Sequence, residues 1–229
     1  MERAYRNLGY VLIVLLPIFI AGFWVPYLSE IPRFDQSISG AVHVHAVLLF
    51  SFLGLLIVQP LAIRYKAFSA HRILGKLSNI LMPFIVVFSV AVLWKEYHEH
   101  LAAGATIGAA RNAEFLSAVQ LLLFGTLYVV AIAAIRRRDV AMHMRCMICI
   151  VLVLLPAGLA RMLGYWFDVR QSWSQTVCLI VIDGLLLGLM AFDRNHRSVT
   201  RRLTLRPYTL VLSAYIVIEA VWLILGRPI

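Results

Sequence analysis

Seven apolar runs, separated by short loops that alternate between strongly and weakly basic, leave this chain few ways to fold. The runs cover about residues 8–29, 41–63, 73–94, 113–135, 143–164, 175–192 and 208–226. Each holds roughly 18 residues or more with almost no charge, the length at which an α-helix crosses the hydrocarbon of a bilayer. In lipid every backbone N–H and C=O must be satisfied within the segment, so such runs become helices. A membrane β-barrel needs alternating segments of about ten residues, which this sequence lacks. With 62% hydrophobic residues among 229 and a mean hydropathy of +0.88, the apolar content exceeds that of a soluble domain. The expected fold is all-α, a polytopic membrane helical bundle of about seven transmembrane helices, with one integral membrane domain over 1–229. The first run is too long for a cleaved signal, and Val-Pro-Tyr-Leu-Ser-Glu behind it offers no small-residue cleavage site, so it reads as a retained helix.

The net charge of +10 follows the same alternation. Arg3 and Arg6 precede run 1; Arg64, Lys66, Arg72 and Lys76 lie between runs 2 and 3. Arg136, Arg137, Arg138 and Arg145 lie around the join of runs 4 and 5, and Arg194, Arg197, Arg201, Arg202 and Arg206 between runs 6 and 7. The other loops hold only Arg33, then Lys95 and Arg111, then Arg161 and Arg170. Cytoplasmic loops carry the excess of Lys and Arg, so the N-terminus is expected inside and the C-terminus outside. The charge then serves topology and attraction to anionic lipid, with no nucleic-acid partner. Three cysteines make no disulfide framework. Cys146 and Cys149 at i, i+3 and Cys178 read as packing residues, with a redox or metal pair as the rarer use.

This topology sorts the histidines into layers. His43 and His45 open run 2 on the outer side, and His98 and His100 follow run 3, also outside. His71 and His143 stand at the inner starts of runs 3 and 5, while His196 falls in the basic inner loop. On a helix, positions i and i+2 diverge by about 200°, so His43 and His45 cannot serve one ion. Gln59 shares a face with His45 and is costly in lipid, which favours His45 as the inward ring. Gly54 shares a face with His43 and would admit a flat cofactor, which favours the other. Any single ring could simply sit in the headgroup zone. Imidazole is also a common axial ligand of haem iron and a good ligand for copper or zinc. Two layers of histidine suit two b-type haems: an inner pair of His71 and His143, and an outer pair of His45 (or His43) with His98 or His100. His98 and His100, read as loop residues beside Glu96 and Glu99, suit a divalent metal equally well.

His45-Ala46, His71-Arg72-Ile73-Leu74-Gly75-Lys76 and His143-Met144-Arg145-Cys146-Met147 resemble a family of uncharacterised multi-spanning bacterial membrane proteins. That family carries H-A, H-R-x-L-G-K/R and H-x-x-W-M patterns on four helices, and resembles in turn the transmembrane b-type cytochromes. The likeness covers residues 41–165, with Cys146 where the pattern has tryptophan. It implies a four-helix histidine-bearing core of spans 2–5, with spans 1, 6 and 7 outside. It also implies a bacterial cytoplasmic (inner) membrane location. Arg72 and Arg145, and Arg161 toward the outer side, would pair haem propionates, or would otherwise be topology anchors.

Two acids interrupt the last runs. Asp183 and Glu219 stand near the middle of spans 6 and 7, where an acid is costly and usually functional or paired. They could share a hydrogen bond or form a proton path, with Glu114 and Gln120 adding polarity on span 4. A retinal protein would need a lysine in the last span, and Lys66, Lys76 and Lys95 all lie elsewhere. No phosphate loop or nucleophile elbow appears. The first expectation is a haem-b-binding membrane protein (a membrane oxidoreductase if an enzyme). It would move electrons to or from a quinone or a redox partner protein, alone or as a subunit of a larger complex. The alternative is a haem-free proton- or metal-coupled transporter or assembly factor centred on Asp183 and Glu219.

Overall fold

The computed structural model describes residues 5–31, 38–195 and 206–225, and within them every regular element is helical. His196, Arg33 and most of the basic loop before the last helix lie outside the described residues. The helices are α1 (Leu8–Phe23), α2 (Gly40–Arg64), α3 (Phe68–Ala102), α4 (Ile107–Arg136), α5 (Val140–Phe167), α6 (Gln171–Asn195) and α7 (Arg206–Leu225). α1 passes into a π-helical turn over Trp24–Leu28, in which Ser29 N–H reaches back to Trp24 O at 2.9 Å. Six of these segments are long and apolar enough to cross a membrane. α7 adds 20 residues, about 30 Å of helix. Val14, Ile73, Leu122, Val129 and Leu187 lie exposed, as lipid-facing residues do. The chain is a multi-pass helical membrane protein.

Tight turns set the short connections. Lys66, Gly104 and Arg138 have φ of 61°, 90° and 61°. Each ends its helix in a Schellman turn: Ala67 N–H to Ala62 O at 2.8 Å, Ala105 to His100 at 3.0 Å, Asp139 to Ala134 at 2.9 Å. Asp139 then caps α5 by accepting from Met142 N–H at 2.9 Å. α3 runs past its apolar stretch to Ala102, so His98 and His100 are helical residues, not loop residues. Its 35 residues span about 52 Å, well beyond a hydrocarbon core of about 30 Å.

The chain divides into two compact units, Met1–Leu121 and Leu122–Ile229, with the boundary inside α4. The units cut across spans 2–5. In the first unit α2 packs on both α1 and α3. One end of the α1–α2 contact is clamped by Arg64, whose Nη1 donates to Asn7 Oδ1 at 2.5 Å and to Arg6 O at 3.2 Å. Its guanidinium lies 5.0 Å over the Tyr10 ring, and the Tyr10 and Tyr65 hydroxyls meet beside it. Gly9 lets α1 close on α2: a Cβ there would lie 2.6 Å from Leu61 Cγ. Gly9→Ala is expected to lower stability by about 1–3 kcal/mol, the usual range for overpacking, read as thermal unfolding in detergent. An unchanged midpoint would mean that Leu61 swings aside freely.

In the second unit α5 is the most buried span and packs on α6 and α7. Cys146, Cys149 and Cys178 are free and fully buried, small core residues as expected of membrane cysteines. α7 buries Tyr208, Val211, Tyr215, Ile218 and Trp222, an alternating three-and-four spacing that keeps one stripe inward. α6 buries Ser174, Gln175, Cys178, Leu179, Ile182 and Leu186 on the corresponding stripe.

Candidate functional site

The outer histidines face four different partners. His45 Nδ1 lies 3.3 Å from Ser89 Oγ on α3. His43 Nδ1 lies 3.2 Å from the hydroxyl of Tyr27, a buried residue of the π turn. The 200° divergence thus sends the two rings to two neighbouring helices, α3 and the end of α1. Gln59 does look inward, since a Cβ on Gly75 of α3 would lie 3.5 Å from its Nε2. The contacts His45–Ser89 and Gln59–Gly75 are fourteen residues apart on each helix, which fixes an antiparallel register for α2 and α3. A Cβ on Gly54 would meet nothing within 4 Å.

That register separates the expected outer pair. His98 follows Ser89 by nine residues, about 13 Å along the axis, and His100 by about 16 Å. His45 therefore stands at a different level from both, whereas two rings on one haem iron must share a level. His98 stacks on Trp94 at 4.4 Å between ring centroids. His100 Nε2 lies 3.3 Å from Glu114 Oε1, and Glu96, one turn earlier, is also within hydrogen-bonding reach of that carboxyl. Among the described residues no three His, Cys, Asp or Glu side chains converge as a metal site. The register thus does not bring His45 together with His98 or His100.

On the inner side the two rings belong to different units, His71 to the first and His143 to the second. His143 Nδ1 lies 3.0 Å from Ala131 O. A carbonyl only accepts, so Nδ1 carries the proton and Nε2 keeps its lone pair, the tautomer a metal ligand needs. Its neighbour Arg145 is not a propionate partner. The side chain is 1% exposed; Nε donates to Asp193 Oδ2 at 2.5 Å and Nη1 to Ala141 O at 3.1 Å. Asp193, equally buried at the end of α6, escapes a sequence reading because it sits among loop cations. Arg72 is exposed on the first turns of α3. Arg161 is exposed and donates to Ala157 O of its own helix at 3.0 Å.

The acids compose the other site. Asp183 and Glu219 are half-buried on α6 and α7, within electrostatic reach of one another. Asp183 Oδ1 is buried with no hydrogen-bond partner among the described residues. The simple hydrogen bond between spans 6 and 7 is not what holds it. Ten residues on from Arg145 along α5 and ten back from Asp193 along α6, Leu155 and Pro156 come level with Asp183. Proline has no N–H, so the backbone carbonyl one turn earlier, at Leu152, loses its helical donor at that depth. Two carboxyls and a proline-interrupted backbone therefore share one level of an otherwise apolar unit. Such a group can take up, hold and release a cation, of which the proton is the smallest. No protein-family model, curated protein or solved structure matches the chain, so the likeness over 41–165 rests on its quoted residues alone.

Proposed function

We propose that this chain is a proton-coupled transporter of the bacterial cytoplasmic membrane, with Asp183 and Glu219 holding the coupling proton. The observation that carries this is the buried, unpartnered Asp183 Oδ1, with a second carboxyl, Glu219, within electrostatic reach. Like charges close together in a low-dielectric unit repel, and a proton bound by either carboxyl relieves that repulsion. The alternation of basic loops supports an inside N-terminus and an outside C-terminus. The test is voltage-driven proton uptake into vesicles carrying the purified protein and a trapped pH dye. Asp183→Asn is expected to lower the protein-dependent rate by about 100-fold or more, the scale of losing a positioned proton carrier. Wild-type uptake equal to protein-free vesicles, or an unchanged rate in Asp183→Asn, overturns the reading.

The Nδ1 bond of His143 favours a second reading, a single b-type haem on the inner side. His143 would ligate through Nε2, and the group would supply one-electron chemistry. Ala131 O fixes the tautomer of His143, and Arg145 takes no part. His143→Ala is expected to remove the reduced-minus-oxidised haem band while the protein still inserts. A colourless wild type after haem-replete expression sinks this reading and leaves the first untouched.

A further inference from the structure

Two more polar atoms in the second unit are buried without partners. Gln175 is 9% exposed and its Oε1 has no hydrogen bond among the described residues; Trp222 is 3% exposed and its Nε1 has none. The indole is a donor, the amide oxygen and Asp183 Oδ1 are acceptors, and no group among the described residues answers any of them. Buried polar atoms of this kind are ordinarily met by ordered water.

Their order along the helices gives the water a direction. Trp222 follows Glu219 by three residues, about 4.5 Å, and Gln175 precedes Asp183 by eight, about 12 Å. Successive spans cross the membrane in opposite senses, so the start of α6 and the end of α7 share a face. Trp222 and then Gln175 therefore step from the carboxyl pair toward that face. Both lie on the inward stripes, Gln175 with Cys178 and Ile182, Trp222 with Ile218 and Tyr215. We propose that Gln175 and Trp222 line a file of water between α6 and α7 that connects Asp183 and Glu219 to the outer face. This rests on the reading that the carboxyl pair holds a proton, and adds that the proton exchanges with the outside in this conformation.

The test uses the reconstituted full-length protein and infrared spectroscopy. The carboxylic C=O band is assigned by its loss in Asp183→Asn or Glu219→Gln, and its exchange is timed after transfer to D2O. Exchange is expected to be slower by roughly ten-fold or more in Gln175→Leu with Trp222→Phe, the factor that about 1.4 kcal/mol of added barrier gives. Gln175→Asn, which keeps an amide, is expected to exchange as fast as wild type, and guards against a loss that merely reflects misfolding. Equal rates in wild type and the apolar double variant overturn the water file and leave the carboxyl pair standing. Absence of any band that Asp183→Asn or Glu219→Gln removes overturns the pair itself, and the file with it.

Discussion

Arg145→Ala is expected to cost about 3–5 kcal/mol of stability, the largest effect of any single substitution considered for this chain. The reason is what stays behind. Arg145 and Asp193 are 1% and 4% exposed and bonded at 2.5 Å, so truncating the arginine leaves a carboxylate in the core with no cation. Water cannot reach it without opening the contact between α5 and α6. The pair need not itself be worth that much. Two charges lose their hydration on burial, and their attraction returns only part of it, so Arg145→Leu together with Asp193→Leu is expected to recover most of the loss. The measurement is the unfolding midpoint in detergent for Arg145→Ala and for the double variant. Full loss in the double as well would mean that Arg145 acts through its bond to Ala141 O and its packing, not through Asp193. What the ion pair does supply is register. A slip of one turn between α5 and α6 would leave both charges unpaired, whereas the apolar neighbours on either side would tolerate it far better. The level of Asp183 against Pro156 is set by that lock.

The membrane character and the seven helices were legible because lipid imposes a length and an absence of charge that hydropathy reads directly. Helix ends were less so. The run over 73–94 stops at Lys95, where charge begins, but α3 continues to Ala102 because nothing before Gly104 breaks a helix. Hydropathy reports where lipid ends; capping and positive φ report where the helix ends. The same gap misplaced His98 and His100. The two faces of the Gly-Ala-Val-His-Val-His segment were also readable, since the helical angle alone sends its rings apart. Their partners were not readable, because Ser89 and Tyr27 are ordinary residues whose role depends on register. Arg145 and Asp193 were hidden for a related reason. In a chain whose basic residues mark topology, one arginine among many looks like another anchor, and an aspartate beside Arg194 looks like loop. Pairing them takes a fold, in which residues 48 apart meet. The acids in the last two spans stood out at once, because nothing in an apolar run excuses a carboxyl.

Asp183→Leu is expected to raise stability while abolishing proton uptake, and this opposition in sign separates a working carboxyl from a structural one. Were Asp183 holding α6 to α7 through a hydrogen bond, its removal would free a partner and weaken the unit. Its Oδ1 instead has no partner among the described residues. A buried acceptor in that state costs about 1–3 kcal/mol, and leucine removes the cost while adding apolar contact with lipid and neighbours. Glu219→Leu should act in the same direction, since it takes away the like charge beside Asp183. The two changes should not add, because each relieves the same conflict; the double variant is expected to gain less than the sum of the singles. Retaining a pair of groups that the fold would be more stable without is what activity at a strained site looks like. The measurement pairs an unfolding midpoint with the vesicle assay for each of the three variants. A midpoint that falls in Asp183→Leu would place the acid among the struts of the unit, and the transporter reading would lose the observation that carries it.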